Sequence, residues 1–291
     1  MLPRLLEIVF PIFAVVCVGY LLGRYRRAEL GEANRLNLAV FVPALVFVSL
    51  AGKPIDLGQL ARLSVAAAVL IGFLGVLAWG ASKLLAIDPR TLVPPMMFNN
   101  SGNIGLPVAY LTWGESIMPA AVMLFVVQTA LQFSVGVRIL DPRMRLASLW
   151  RVPVVLATVA GIGASASSLP LWPPLVVALR LLGDIAIPLM LLGLGVRLAQ
   201  TSHQDWLLSG MFAWLRPLIG FGVAWGIALG LRLPAEQASL LMVFGALPPA
   251  VMNFLFAERY QQDPERVASI VLIGNLAAIL VLPVAIAAVL R

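Results

Sequence analysis

Charge is what this chain has least of. Only 11% of its 291 residues are Asp, Glu, Lys or Arg, against roughly 25% in soluble globular domains. So few charges cannot cover a surface that faces water on every side, so lipid must be the solvent for most of the chain. Histidine and cysteine occur once each, as His203 and Cys17. A lone cysteine forms no internal disulfide, and a lone histidine has no partners for a zinc site, so His203 reads as a surface residue and Cys17 as a small side chain facing lipid or a helix. No Gly-rich loop ending in Lys-Ser or Lys-Thr occurs, which argues against direct use of ATP. A membrane-embedded enzyme, one alternative reading, would need clustered His, Asp, Glu or Cys, and the apolar runs hold too few. The chain is therefore not expected to be an enzyme or to carry a cofactor. The net charge of +7 does not point to nucleic acid either, because the basic residues are scattered through short connections between apolar runs.

What is abundant is apolar surface: 61% hydrophobic residues and a mean hydropathy of +0.99. At roughly 20 residues per crossing the chain holds about ten spans and no separate soluble domain. The apolar runs are 5–22, 36–51, 63–85, 92–113, 117–137, 150–167, 175–198, 207–231, 239–257 and 267–290. Turn formers and charge separate them, among them Gly52-Lys53-Pro54, Asp88-Pro89-Arg90, Asp141-Pro142-Arg143 and Asp263-Pro264. The first run lacks a basic stretch before it and a small-residue cleavage pattern after it, so it reads as a span and not as a signal peptide.

Orientation follows from the Lys and Arg residues at the connections. Those after the odd-numbered spans carry thirteen, including Arg24, Arg26, Lys83, Arg138, Arg197 and Arg259; the opposite side carries five, Arg4, Lys53, Arg62, Arg232 and Arg291. The positive-inside rule places the richer set in the cytoplasm and both termini on the extracytoplasmic side of a cell (inner) membrane. An even number of spans agrees with that. Pro43 and Pro188 lie 145 residues apart, Pro107 and Pro248 141 apart, close to half the chain. Five spans per half means that the second copy crosses in the opposite sense, as in inverted-repeat transporters.

The chemistry concentrates in span four, Phe98-Asn99-Asn100-Ser101-Gly102-Asn103-Ile104-Gly105-Leu106-Pro107. A continuous lipid-facing helix there would bury several amide side chains at a cost of several kcal/mol. The helix is therefore expected to break and to face protein or a water-filled cavity. Span nine has the matching interruption, Gly245-Ala246-Leu247-Pro248-Pro249, where consecutive prolines remove two backbone donors. Half-helices beginning near Pro107 and Pro248 would aim unpaired N–H groups and positive dipole ends at the membrane centre, a geometry that favours an anion. The alternative is a pair of proline kinks with asparagines gluing helices together.

Asn100-Ser101-Gly102-Asn103-Ile104-Gly105-Leu106-Pro107 resembles the signature of the auxin efflux carrier family, and Leu247-Pro248-Pro249-Ala250 with Ala257-Glu258-Arg259-Tyr260 and Asp263 resembles its ninth span and following loop. The resemblance implies an all-α membrane protein of ten transmembrane helices. They would form two inverted five-helix repeats, residues 1–138 and 151–291, with broken, crossing helices four and nine, a fold shared with sodium–bile acid symporters. It also implies a scaffold of spans 1, 2, 6 and 7, a transport domain of spans 3–5 and 8–10, a homodimer, and organic anions as substrates. The short connection 139–150 resembles the bacterial members. Span ten, reading Ile273-Gly274-Asn275-Leu276-Ala277, departs from the family's serine- and threonine-rich pattern.

The expected function is a secondary carrier of a small organic anion, a carboxylate, working by alternating access of elevator type; a passive anion channel is the further alternative. The expected substrate-binding set is Asn99, Asn100, Ser101, Asn103, Gly105, Pro107, Gln128, Pro248, Pro249, Asn253 and Asn275, with Thr129 beside Gln128. Gln128 and Asn275 are 147 residues apart, again near the repeat period. In span seven Arg180 and Asp184 share one helical face, and Asp184 is the candidate to couple H+, the other candidate ion being Na+; the alternative for that pair is a static ion pair. Arg216 is expected to snorkel to lipid headgroups. Glu7, Glu115 and Glu258 are expected in water, and Trp113, Trp150, Trp172 and Trp206 at the membrane interfaces.

Overall fold

A computed structural model describes residues 2–26, 28–51, 56–143, 152–167, 171–200 and 206–290. His203, Trp150 and the basic residues Arg27, Lys53, Arg145, Arg151 and Arg291 lie outside them. Among the described residues every regular element is a helix, the form in which a chain in lipid satisfies its own backbone. Helix α1 is Leu2–Arg26; α2 (Gly31–Leu36) continues through a π-helical turn, Asn37–Phe41, into α3 (Val42–Ala51); α4 is Leu57–Leu84. Next come α5 (Pro89–Met97), a π turn at Ser101–Gly105, α6 (Leu106–Trp113), α7 (Met118–Leu131), a π turn at Gln132–Gly136 and α8 (Val137–Leu140). The second half holds α9 (Pro153–Ser167), α10 (Pro173–Gln200), α11 (Trp206–Gly230), α12 (Ala235–Ala246), α13 (Val251–Arg259) and α14 (Pro264–Val289).

Among the described residues, seven helical segments are long and apolar enough to cross a membrane, and Pro153–Ser167 is a shorter apolar helix. Phe10, Val76, Leu218 and Val284 are 68% to 71% exposed, an outward apolar surface that suits lipid and would aggregate in water. Two helices run past the apolar stretches that announce them: α1 continues through Arg24 to Arg26, and α10 continues to Gln200. Other helix starts are capped as the Asp-Pro breaks suggest. Asp88 accepts from the Arg90 backbone N at 2.8 Å with Pro89 in the first turn, and Asp263 accepts from Arg266 N at 3.4 Å with Pro264.

Helix packing sorts the molecule into two groups. Helix α1 lies along α10, and α3 packs on α9 and α10. In the other group α11 packs on α12, α14 and α4, while α4 packs on α5 and α7. Glycine sets the closest approach in each. A Cβ on Gly19 would collide with the Leu192 carbonyl and one on Gly195 with that of Val16; Gly220 and Gly245 face each other's carbonyls in the same way. Bare backbone on both sides lets two helices touch along their axes, the usual device where lipid supplies no hydrophobic drive between helices.

Candidate functional site

The two interruptions meet. Pro248 and Pro249 cannot donate to the helical ladder, so α12 ends at Ala246 and its last carbonyls need donors from elsewhere. The chain around Asn99 stands alongside as a short antiparallel bridge, Asn99 opposite Pro249. Asn100 N donates to Pro248 O at 2.7 Å, and Ala250 N returns the bond to Phe98 O at 3.0 Å. Side chains complete the joint. Asn99 Nδ2 donates to Phe244 O at 2.6 Å, and Asn253 Nδ2 to Phe98 O at 3.0 Å. Gln132 Nε2 donates to Asn253 Oδ1 at 2.9 Å, and Gln128 Nε2 to the Asn99 carbonyl. Asn275 donates to Pro249 O at 3.0 Å and to Val271 O at 2.7 Å, and its Oδ1 accepts from Asn100 Nδ2 at 2.8 Å.

Arg216 belongs to this joint and does not snorkel. It is only 3% exposed, and Nη1 donates to Gly245 O at 3.2 Å, at the C-terminal end of α12. The reason is local. Arg216 lies one turn before Gly220, where α11 touches α12, and the unpaired carbonyls and negative dipole of that helix end attract a cation.

A cavity of about 330 Å³ opens against the joint. Asn99, Asn100, Ser101, Gly102, Asn103, Gln128 and Thr129 line it from one helix group; Asn34, Asn37, Met190 and Arg197 line it from the other. No Asp or Glu is among its described lining residues. Two helix starts reach it: the π turn at Ser101 that runs on into α6, and α13 at Val251. The first N–H groups of a helix have no partner within it and carry its positive dipole end, so both starts favour negative charge at the cavity. The first half-helix thus begins at Ser101, not near Pro107. The break comes where Asn99 and Asn100 take up the bonds of the bridge, and Pro107 sits inside α6 at an early position that a proline tolerates.

The expected site residues divide. Asn99, Asn100, Ser101, Asn103 and Gln128 line the cavity; Pro248, Pro249, Asn253 and Asn275 lie in the joint behind it, and Gly105 packs against Leu247 and Phe244. Asn103 and Asn253 stand at matching places, four residues after Asn99 and Pro249. Asn253 is committed to Phe98 O and Gln132, whereas the half-buried Asn103 makes no side-chain hydrogen bond among the described residues. Pro107 lines a second cavity of about 500 Å³ together with Glu115, Arg180, Asp184 and Pro188. Arg180 and Asp184 are both exposed there and form no ion pair, so the static pairing is absent.

Sequence reasoning missed Asn34, Asn37, Gln132 and Arg197. Asn34 read as loop, because hydropathy begins span two after the helix has begun, and Arg197 read as an orientation marker at the end of span seven. Asn37 and Gln132 begin π turns. A π turn inserts a residue and re-aims the side chains around it, and all three such turns border the cavity; nothing in composition or spacing announces them. Glu7, Glu115 and Glu258 are exposed, and no group of three or more His, Cys, Asp or Glu among the described residues could hold a metal ion.

A family model described as membrane transport protein matches residues 142–286, the second half of the chain, including α9 to α13 and most of α14. No curated protein matches the sequence. The match spans the joint's second segment, Asn253 and Asn275, and agrees with the span-four signature that lies outside it. The chain belongs to this auxin efflux carrier-like family of membrane transporters.

Proposed function

We propose that this transporter is a secondary carrier of a small organic anion, a carboxylate, that binds in the cavity beside the joint. One observation carries the reading: the cavity combines two helix N-termini, a ring of amides and the Arg197 guanidinium with no carboxylate among its described lining residues. Such a lining attracts one unit of negative charge and offers it donors without a fixed counter-acid to repel it. Asn103 is the residue to contact the anion directly, since its matching partner Asn253 is occupied and its own amide is free.

The reading counts α5 with α6 as the fourth crossing and α12 with α13 as the ninth, giving ten crossings in two inverted halves with both termini extracytoplasmic. The group of α1, α3, α9 and α10 then serves as scaffold and the remaining helices as the moving body of an elevator; their separate packing supports this division. The first cavity would be the cytoplasmic mouth and the second the outer one, on opposite sides of the joint. In the outer one Asp184 is available to take up a coupled proton, and Na+ is the alternative coupling ion. A bacterial-type homodimer joined through the scaffold, in the inner membrane, completes the proposal.

The test is uptake of labelled small carboxylates into proteoliposomes of the purified chain. Saturable uptake with counterflow is expected; linear, non-exchanging flux would indicate a channel, and no flux of any carboxylate would remove the proposal. Arg197→Gln should weaken binding about 10- to 100-fold, from roughly 1.5–3 kcal/mol for a charged hydrogen bond.

A further inference from the structure

One positive charge is sealed inside the helix group that holds the joint. Among the described residues Arg216 is the only Asp, Glu, Lys or Arg that is buried. It is the eleventh of the 25 residues of α11, near the middle of a helix long enough to cross the membrane. Its Nη1 bond to Gly245 O turns it toward the joint, while Nε and Nη2 are buried with no partner, and so no carboxylate, among the described residues. Arginine keeps its proton in proteins, so this charge is permanent. The other charged described residues of the group, such as Lys83, Arg138, Glu236 and Arg259, lie in the first or last two turns of a helix or in a connection.

Depth decides which charges the membrane potential can act on. A group at a helix end stays on its own side of the hydrocarbon when the helix shifts. A helix that slides without turning carries both ends of its dipole through the same potential difference, so the helix starts at the cavity contribute no net electrical work. A whole charge does contribute. Carried across all of a 100 mV potential it shifts an equilibrium about 50-fold, and across a third of it about fourfold. On the elevator reading proposed above, we infer that Arg216 sets the electrical charge of the moving body: +1 when empty and zero when a monocarboxylate is bound. The potential then acts on the return of the empty body and not on the loaded crossing. A negative cytoplasm draws the empty body toward the cytoplasmic side. A dicarboxylate would leave the loaded body at −1, so that its crossing would feel the potential with the opposite sign.

The first measurement needs no substrate. The full chain in a voltage-clamped bilayer, with potassium chloride alone on both sides, should answer a voltage step with a transient charge movement that saturates at up to about one elementary charge per chain. Arg216→Lys keeps the charge and should keep the signal; Arg216→Gln should lose it. Ala213→Asp, three residues earlier on the same helix and equally buried, sets a carboxylate beside the arginine and should lose it too, which serves if the glutamine variant does not fold. The second measurement uses labelled lactate, pyruvate and phenylacetate in proteoliposomes clamped with potassium and valinomycin. Net flux of each acid that is carried should change at least about twofold between zero and about −100 mV, and its one-for-one exchange by less than about 1.5-fold. In Arg216→Gln the exchange should become the potential-dependent process. Saturable exchange by a parent chain that shows no charge movement would overturn the role of Arg216 and leave the carrier reading standing, as would a signal untouched by both Arg216→Gln and Ala213→Asp, or exchange as steep in potential as net flux. Charge movement with none of the three acids carried would sink the carboxylate reading alone; absence of both would sink the two together.

Discussion

The proposed carrier gives asparagine two jobs, and one pair of substitutions separates them. Replacing Asn275 by leucine keeps the branched side-chain frame but removes the bonds to Pro249 O and Val271 O and the acceptor for Asn100 Nδ2. Val271 O lies within α14, where a helical partner remains. Asn100 Nδ2 and Pro249 O have no such substitute, so two buried polar groups are orphaned at about 1–3 kcal/mol each, roughly 2–6 kcal/mol together. Measured couplings between membrane helices average nearer ~0.6 kcal/mol per bond, which sets the floor at about 1 kcal/mol for the two bonds that leave α14. With a midpoint shift of about 2–4 °C per kcal/mol in a chain of this size, Asn275→Leu should lower the thermal midpoint by at least about 2 °C. Asn103→Leu removes no hydrogen bond and should shift it by less than about 1 °C, yet abolish carboxylate binding. The assay is tryptophan fluorescence on heating in detergent, with calorimetry on the same samples. Equal midpoints for the two variants, or intact binding by Asn103→Leu, would refute the division of the asparagines into joint and site.

Three further outcomes follow from particular contacts. Gly220→Ala drives a methyl group into the Gly245 carbonyl and should cost about 1–3 kcal/mol or more, whereas Gly222→Ala meets open space and should be neutral or slightly stabilising; thermal midpoints of the two variants check this. Asp184→Asn should flatten the dependence of uptake on external pH if Asp184 carries a proton, and an unchanged profile in proteoliposomes would retire that role. The Asp56 carboxyl, at the start of α4, is held below its usual 3.8 chiefly by the Gln59 backbone N–H. A lowered folded-state value means that its contribution is complete above about pH 4 and is lost as pH falls through the folded value. The midpoint difference between parent and Asp56→Asn should therefore be constant from pH 7 to 5 and shrink only in stronger acid.

Much of the architecture is legible in hydropathy because lipid imposes a single rule: apolar side chains outward and every backbone group paired within its helix. The Asn-rich stretch after Phe98 and the double proline after Leu247 both violate it, which is why the joint could be located from composition. The partition within the joint could not. Asn103 and Asn253 look alike in sequence and stand at matching positions, yet one is bonded on both sides and the other is free, a difference decided by Gln132 reaching across from its π turn. Arg216 misled for a related reason. An arginine in an apolar run suggests a route to water, and only the position of the α12 carbonyls reveals that its partner lies inside.

Interrupted helices invite the picture of a hinge, with each half swinging on its prolines. Here the loose ends are spliced. Four hydrogen bonds link residues 98–100 directly to segment 244–253, and Asn275 ties both to α14. Bending either rod alone would tear that seam, so the prolines stiffen the centre of the molecule. In the proposed elevator, therefore, the spliced centre would travel as one piece, slipping along the aliphatic face shared with α1, α3, α9 and α10.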